Sequence, residues 1–152
     1  MARLNQYTSV DSADEHYTPK WIFDELGIVF DLDVASPAGG SNVPCKHYFT
    51  QEQDGLTQEW YGNVFMNPPF SQTTVWARKF IAYGRGIAIL PASAAHWAKE
   101  LWETDAGIVL FTKTLRFDRP NGEKPKAISY QLWIVAYGDE NKAAISKLGK
   151  MR

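Results

Sequence analysis

The sequence predicts a mostly parallel, doubly wound α/β sheet with an antiparallel strand near its C-terminal end. Three observations carry this. Short apolar runs with no polar alternation recur at Val64 to Met66, Gly86 to Leu90 and Ala106 to Phe111, as in strands covered on both faces. Segments with helical periodicity separate them, and alternation of strand and helix favours a parallel sheet. One of these runs, Val64-Phe65-Met66, stops abruptly at the polar corner Asn67-Pro68-Pro69-Phe70. In open α/β sheets, ligands bind just beyond such strand ends.

Residues 1–16 are polar and aperiodic, so a flexible arm is expected there. Tyr17 to Gly27 carries both ends of a helix: Thr18 as N-cap, Pro19 as the first helical residue, Gly27 as the stop. Ile28 to Asp33 follows as a strand with an acidic end, and residues 34–46 form a loop of small residues. A short strand is expected at His47 to Phe49 and a turn at Asp54-Gly55. Beyond the Asn67 corner, Thr73 to Tyr83 reads as a helix with Val75, Trp76, Phe80 and Ile81 inward and Gly84 as its stop. Pro91 closes the Gly86 to Leu90 strand, and Ser93 is expected to cap a helix reaching about Glu103. Ala106 to Phe111 is the next strand, Tyr130 to Tyr137 pairs antiparallel with it, and a lysine-bearing segment follows.

The chain of 152 residues suits one domain, without room for a separate target-recognition domain of ordinary size. It lacks an apolar signal core or membrane-length run, so a soluble cytoplasmic protein with no membrane partner is expected. A single cysteine, Cys45, excludes intrachain disulfides and fits a reducing compartment. The net charge of −1 advertises no nucleic-acid binder, so any contact with DNA must use a local basic patch. Cys45, His47 and His16 do not complete a zinc-ligand spacing, and no metal is expected.

The corner at Asn67 suits one demanding chemistry. The exocyclic amino group of adenine is a poor nucleophile, because its lone pair is delocalised into the ring. It needs hydrogen-bond acceptors that stabilise the positive charge developing as it attacks a methyl donor. The Asn67 side-chain oxygen and the Pro68 carbonyl can serve, Pro69 restricts Pro68 to extended backbone, and Phe70 offers a face for stacking. This corner resembles the catalytic motif of DNA amino-methyltransferases, which flip the target base out of the helix. The plain alternative is a proline turn ending a strand. Asp31 and Asp33, near the end of the first strand, offer anionic acceptors for a cofactor, with solvated loop carboxylates as the alternative.

Taken together, Tyr17-Thr18-Pro19, Phe30 to Pro37, Tyr48-Phe49-Thr50, Asp54-Gly55-Leu56, Trp60 and Asn67 to Phe70 resemble, in order and spacing, the small phage and prophage Dam-like DNA N-6-adenine methyltransferases. The resemblance runs from about residue 14 to residue 137. It implies a Rossmann-like S-adenosylmethionine-dependent methyltransferase fold, DNA as partner and a bacterial host cell as the setting. It also implies roles. Tyr17, Thr18 and Pro19 close over the methionine part of S-adenosylmethionine, Asp33 binds its amino group, and Asp54 meets its adenine. Asp31, Ala35 and Asn42 complete the implied cofactor set, while Asn67, Pro68, Pro69 and Phe70 form the catalytic corner. Two departures stand out: Asp33 to Pro37 replaces a glycine-rich cofactor loop, and no separate target-recognition domain is expected in a chain of this length.

Arg116-Phe117 resembles an element that packs on the flipped base. The cations Lys113, Arg116, Arg119, Lys124 and Lys126 outnumber Asp118 and Glu123, making this segment the leading candidate for phosphate contacts, with an ordinary solvated hairpin as the alternative. The same corner would also orient a cytosine amino group or a glutamine amide, and a silent module could use its aromatic ring only to stack bases.

Overall fold

The computed structural model describes residues 18–111 and 131–152, together with the backbone of two short strands at 116–117 and 126–127. The expected arm at 1–16, Tyr17, Arg119, Lys124 and the side chains of Arg116 and Phe117 lie outside the described residues.

Helix α1 (Lys20–Leu26) leads into β1 (Phe30–Ser36), which pairs parallel with β2 (Cys45–Thr50) on one side and β3 (Val64–Met66) on the other. A 3-10 turn (Phe70–Gln72) and α2 (Thr73–Tyr83) connect β3 to β4 (Gly86–Pro91), again parallel. Then come α3 (His96–Trp102), β5 (Gly107–Phe111), a small antiparallel ribbon of β6 (Arg116–Phe117) and β7 (Lys126–Ala127), β8 (Leu132–Tyr137) and α4 (Asp139–Ile145). The main sheet has the order β2-β1-β3-β4-β8-β5. Only β8 runs against the others, pairing antiparallel with both β4 and β5.

Both faces of the sheet are covered, which is why its central strands read as continuous apolar runs. In β4, Ile87 and Ile89 face a core with Ile22, Phe23 and Leu26 of α1 and Ile145 of α4. Ala88 and Leu90 face the opposite core, with Trp76 and Phe80 of α2 and Trp97 and Leu101 of α3. In β1, the N–H groups of Asp31 and Leu32 both donate to the Asn63 carbonyl. Two successive amides on one acceptor mark a bulge. The strand changes phase there: Phe30 joins the α1 core, while Leu32 and Val34 join the α2 core. Asp33 therefore points to the α1 side.

Several expectations need correction. Helix α1 begins one residue late, with Pro19 as its N-cap, and the Thr18 side chain makes no cap. Gly27 does stop it, in a left-handed conformation. The first strand extends to Ser36, so Asp33 sits inside it rather than at its end. In α2, Val75 is exposed, and Thr73 and Ala77 are buried in addition to Trp76 and Phe80. Ser93 does not cap α3: its hydroxyl accepts the Ala95 N–H within the turn before the helix.

Candidate active site

Successive connections step from β1 outward to β2 and then back across to β3, so the sheet order reverses direction at β1 and β3. This is the switch point, where the loops beyond the two carboxyl ends part and leave a crevice. The register places Asp33 opposite Phe65, two residues before Asn67. Both candidate residues thus face the same crevice end of the sheet.

Thr18 is the hub of that end. Its side chain, only 2% exposed, accepts a 2.9 Å hydrogen bond from Asn67 Nδ2, and its carbonyl accepts a 2.8 Å bond from Asn42 Nδ2. Helix α1, the loop before β2 and the corner after β3 are thereby joined. The hydroxyl that the sequence suggests as a helix cap is spent on holding Asn67. Once Nδ2 is fixed, the Asn67 Oδ1 is left buried with no hydrogen-bond partner among the described residues. A buried unsatisfied acceptor costs about 1–3 kcal/mol, and such atoms in native structures call for a functional explanation.

The corner itself is rigid. Pro68 and Pro69 are buried, and Pro69 is extended with φ −64° and ψ 123°. Phe70 is half-buried against the α1 core, and its carbonyl accepts the Thr73 hydroxyl at 2.8 Å.

Asp33 is 2% exposed. Its carboxylate accepts the Ser41 hydroxyl at 2.6 Å and the Ala35 N–H at 3.2 Å. Burial pushes its pKa up to about 6, although both hydrogen bonds pull it down. Such a group is a carboxylate short of a cation. Ser41, which sequence reasoning missed, also accepts the Val43 N–H at 3.0 Å and so fixes the loop that approaches Asp33. A lone serine in a small-residue loop carries no signal to single it out.

Asp31 is not part of this cluster. It lies at the amino end of β1, accepts the Asn63 N–H at 2.7 Å and pairs with Lys46 at 3.3 Å. The Asn63 N–H, followed by the Lys46 cation, holds its carboxyl below the usual range despite some desolvation. The structure therefore gives the expected cofactor residue Asp31 a different task, tying β1 to the loop before β3.

Asp54 adopts a left-handed backbone with φ 55°, and its carboxylate accepts the Leu56 N–H at 3.2 Å. The next residue, Gly55, presses its backbone onto β1: a Cβ there would run into the Val34 carbonyl. Lys79 of α2 clasps this loop, donating to the carbonyls of Gly55 (3.2 Å), Leu56 (2.9 Å) and Gln58 (2.5 Å). Its ammonium also lies 4.9 Å from the centre of the Trp60 ring. Sequence reasoning missed Lys79, because a lysine on a helix is by default solvated.

With this geometry, the comparison with known proteins is specific. A family model described as DNA N-6-adenine-methyltransferase (Dam) matches residues 5–126. The chain belongs to the Dam family. The match includes Thr18, Asp33, Asn42 and Asn67, the residues that the structure draws to the switch point. Within curated proteins, the chain is similar to the DNA N-6-adenine-methyltransferase of Haemophilus phage HP1 (strain HP1c1). The two are 38% identical over 69 residues, covering 42% of this chain and 39% of that protein. The chain thus matches about two-fifths of that relative's length. Among the described residues of this Dam-family chain, no three His, Cys, Asp or Glu side chains are grouped to hold a metal ion, and no helix is long and apolar enough to cross a membrane.

Proposed function

We propose that this chain transfers a methyl group from S-adenosylmethionine to the exocyclic amino nitrogen of adenine in DNA, on a Rossmann-like methyltransferase fold. The observation that carries the reading is the buried, unpartnered Asn67 Oδ1, oriented by Thr18 beside the rigid Pro68-Pro69 turn. Family membership supports the same reaction.

S-adenosylmethionine, when bound, supplies a methyl group activated by its sulfonium. The donor set fits such a cofactor: buried Asp33 would take its ammonium, with Ala35 and Asn42 lining the approach, and the Asp54 loop on the far side of β1 would meet its adenine. Asn67 Oδ1 and the Pro68 carbonyl accept both protons of the target amino group. This draws the nitrogen lone pair out of the adenine ring and stabilises the positive charge that grows as the new N–C bond forms, while the methyl–sulfur bond would break with its electron pair left on sulfur as a neutral thioether. One amino proton is then lost to water. Thr18 keeps the Asn67 amide from rotating, so the acceptor is oriented before the base arrives. Since Oδ1 is buried in this state, the base reaches it only after a local rearrangement. Phe70 stacks on the displaced base, and Arg116, Phe117, Arg119 and Lys124 face the DNA.

The test is labelled methyl transfer onto unmethylated DNA, followed by nucleoside analysis. The expected product is N6-methyladenine, and label on cytosine or no label would reject the reading. Asn67→Ala should lower turnover by roughly a hundredfold or more while folding normally, by analogy with loss of one charge-stabilising partner in other enzymes.

A further inference from the structure

At the sheet edge far from β2, a groove of about 730 Å³ runs between β5 and the segment 147–152. Its walls include Trp102, Leu110, Trp133 and Met151, and its rim carries Lys147, Lys150 and Arg152. The register fixes which end is which. Met151 bridges antiparallel to Val109, and the Arg152 N–H donates to the Ile108 carbonyl at 2.9 Å. Earlier residues of the segment therefore lie progressively nearer Phe111, the carboxyl end of β5. That is the crevice end of the sheet.

The three cations are not equivalent. Arg152 is consumed internally: its guanidinium donates to the carbonyls of Trp102 (3.0 Å), Thr104 (3.3 Å) and Ala106 (2.6 Å) and stacks on Trp102. Lys147 and Lys150 are exposed, and among the described residues their ammonium groups make no hydrogen bond or ion pair. They stand above an apolar wall in which Trp102 is 41% and Leu110 is 42% exposed. Two connections tie this surface to the active-site end. Phe111 of the groove packs on Trp21 of α1, three residues from Thr18, with ring centroids 5.9 Å apart. The strands β5 and β8 are also joined at that end by residues 112–131, which carry Lys113, Arg116, Arg119, Lys124 and Lys126.

We propose that this groove is a second DNA-contact surface, in which Lys147 and Lys150 bind backbone phosphates flanking the target nucleotide. The inference rests on the proposed reaction. It also bears on how a chain of net charge −1 holds a polyanion: Lys147 and Lys150 set two cations beside the crevice end of β5, where a local basic patch is needed.

The experiment measures DNA affinity across a salt series for wild type, Lys147→Ala/Lys150→Ala and Lys46→Ala, a cation at the opposite sheet edge. Each lost phosphate contact flattens the slope of log affinity against log salt by about 0.9 on duplex DNA, so the double variant should lose up to about 1.8 while Lys46→Ala follows wild type. Calorimetric affinity for S-adenosylmethionine should be unchanged. Parallel lines for the double variant, with methyl transfer by wild type intact, would overturn the surface and leave the reaction standing. Wild type that neither binds nor methylates DNA would overturn both. A DNA-free dimer in sedimentation that Leu110→Glu dissociates would assign the groove to a second copy of the chain, and would also overturn the proposal.

Discussion

At the scale of single residues, Asp33 serves two opposed ends. Buried without a cation, it weakens the fold; ready for a cation, it attracts a ligand. Its pKa rises from an ordinary 3.8 to about 6 in the folded chain, a gap worth on the order of 3 kcal/mol. The direction follows from linkage. A carboxyl whose folded pKa is raised contributes stability while protonated, and that contribution is lost as pH rises through about 6. An ammonium ligand prefers the deprotonated form, so S-adenosylmethionine should bind more tightly as pH rises through the same window. Asp33→Asn should abolish this pH dependence and weaken binding by about 1.5–3 kcal/mol, the range for charged hydrogen bonds. The ligand-free variant should melt no lower than wild type at pH 8. Calorimetry between pH 5 and 8 checks this, and wild-type affinity flat across pH 6 would remove Asp33 from the cofactor site. Asp33 and Asn67 were legible in the sequence because each stands beside an apolar strand pattern. What distinguishes Asp33 from Asp31 was not legible: the bulge at Asp31 and Leu32, which depends on the Asn63 carbonyl of another strand.

Among the elements, those with the right periods were readable and those set by distant partners were not. Helix α2 matches its expected span, and β4 extends only to Pro91, since local pattern suffices for both. Thr18 misled because its hydroxyl found Asn67, 49 residues away, in place of the helix N-terminus. Helix α4 went unseen: it is short and begins with Asp139-Glu140-Asn141-Lys142, and it is anchored through buried Asn141, which donates to Asn63 and to the Tyr137 carbonyl. The loop at 51–60 lacks regular structure, yet Lys79 gives it a fixed shape by satisfying three of its carbonyls. Lys79→Met keeps the aliphatic stem and removes the cation. It should cost roughly 1–3 kcal/mol of stability, as expected when hydrogen-bonded carbonyls lose their donor. Urea denaturation measures it, and an unchanged midpoint would show that water replaces the ammonium without loss.

For the whole molecule, the sheet order explains why residues from α1, β1, the loop before β2 and the corner after β3 converge, since the reversal at β1 and β3 leaves one crevice. The same order creates two edges. Among the described residues no strand pairs with the outer side of β2, and β5 ends the sheet at the other side; an uncovered edge strand invites pairing with another chain. At β5 the segment 149–152 blunts the edge, with Met151 opposite Val109 and Arg152 fastening it to three carbonyls around the end of α3. The fastening is charge-assisted, but Arg152 is exposed, so its loss should cost only about 1 kcal/mol. Its larger effect should be on association. Arg152→Ala frees the segment to leave β5 and bares the unpaired strand groups beside the already exposed Leu110, so self-association should rise with protein concentration while the thermal midpoint falls by a few degrees, roughly as such a loss implies for a domain of this size. Light scattering of wild type and variant over a concentration series decides the point. Identical scattering would mean that the apolar packing of Met151 and Leu148 holds the segment without the guanidinium, and that the edge is protected by burial rather than by charge.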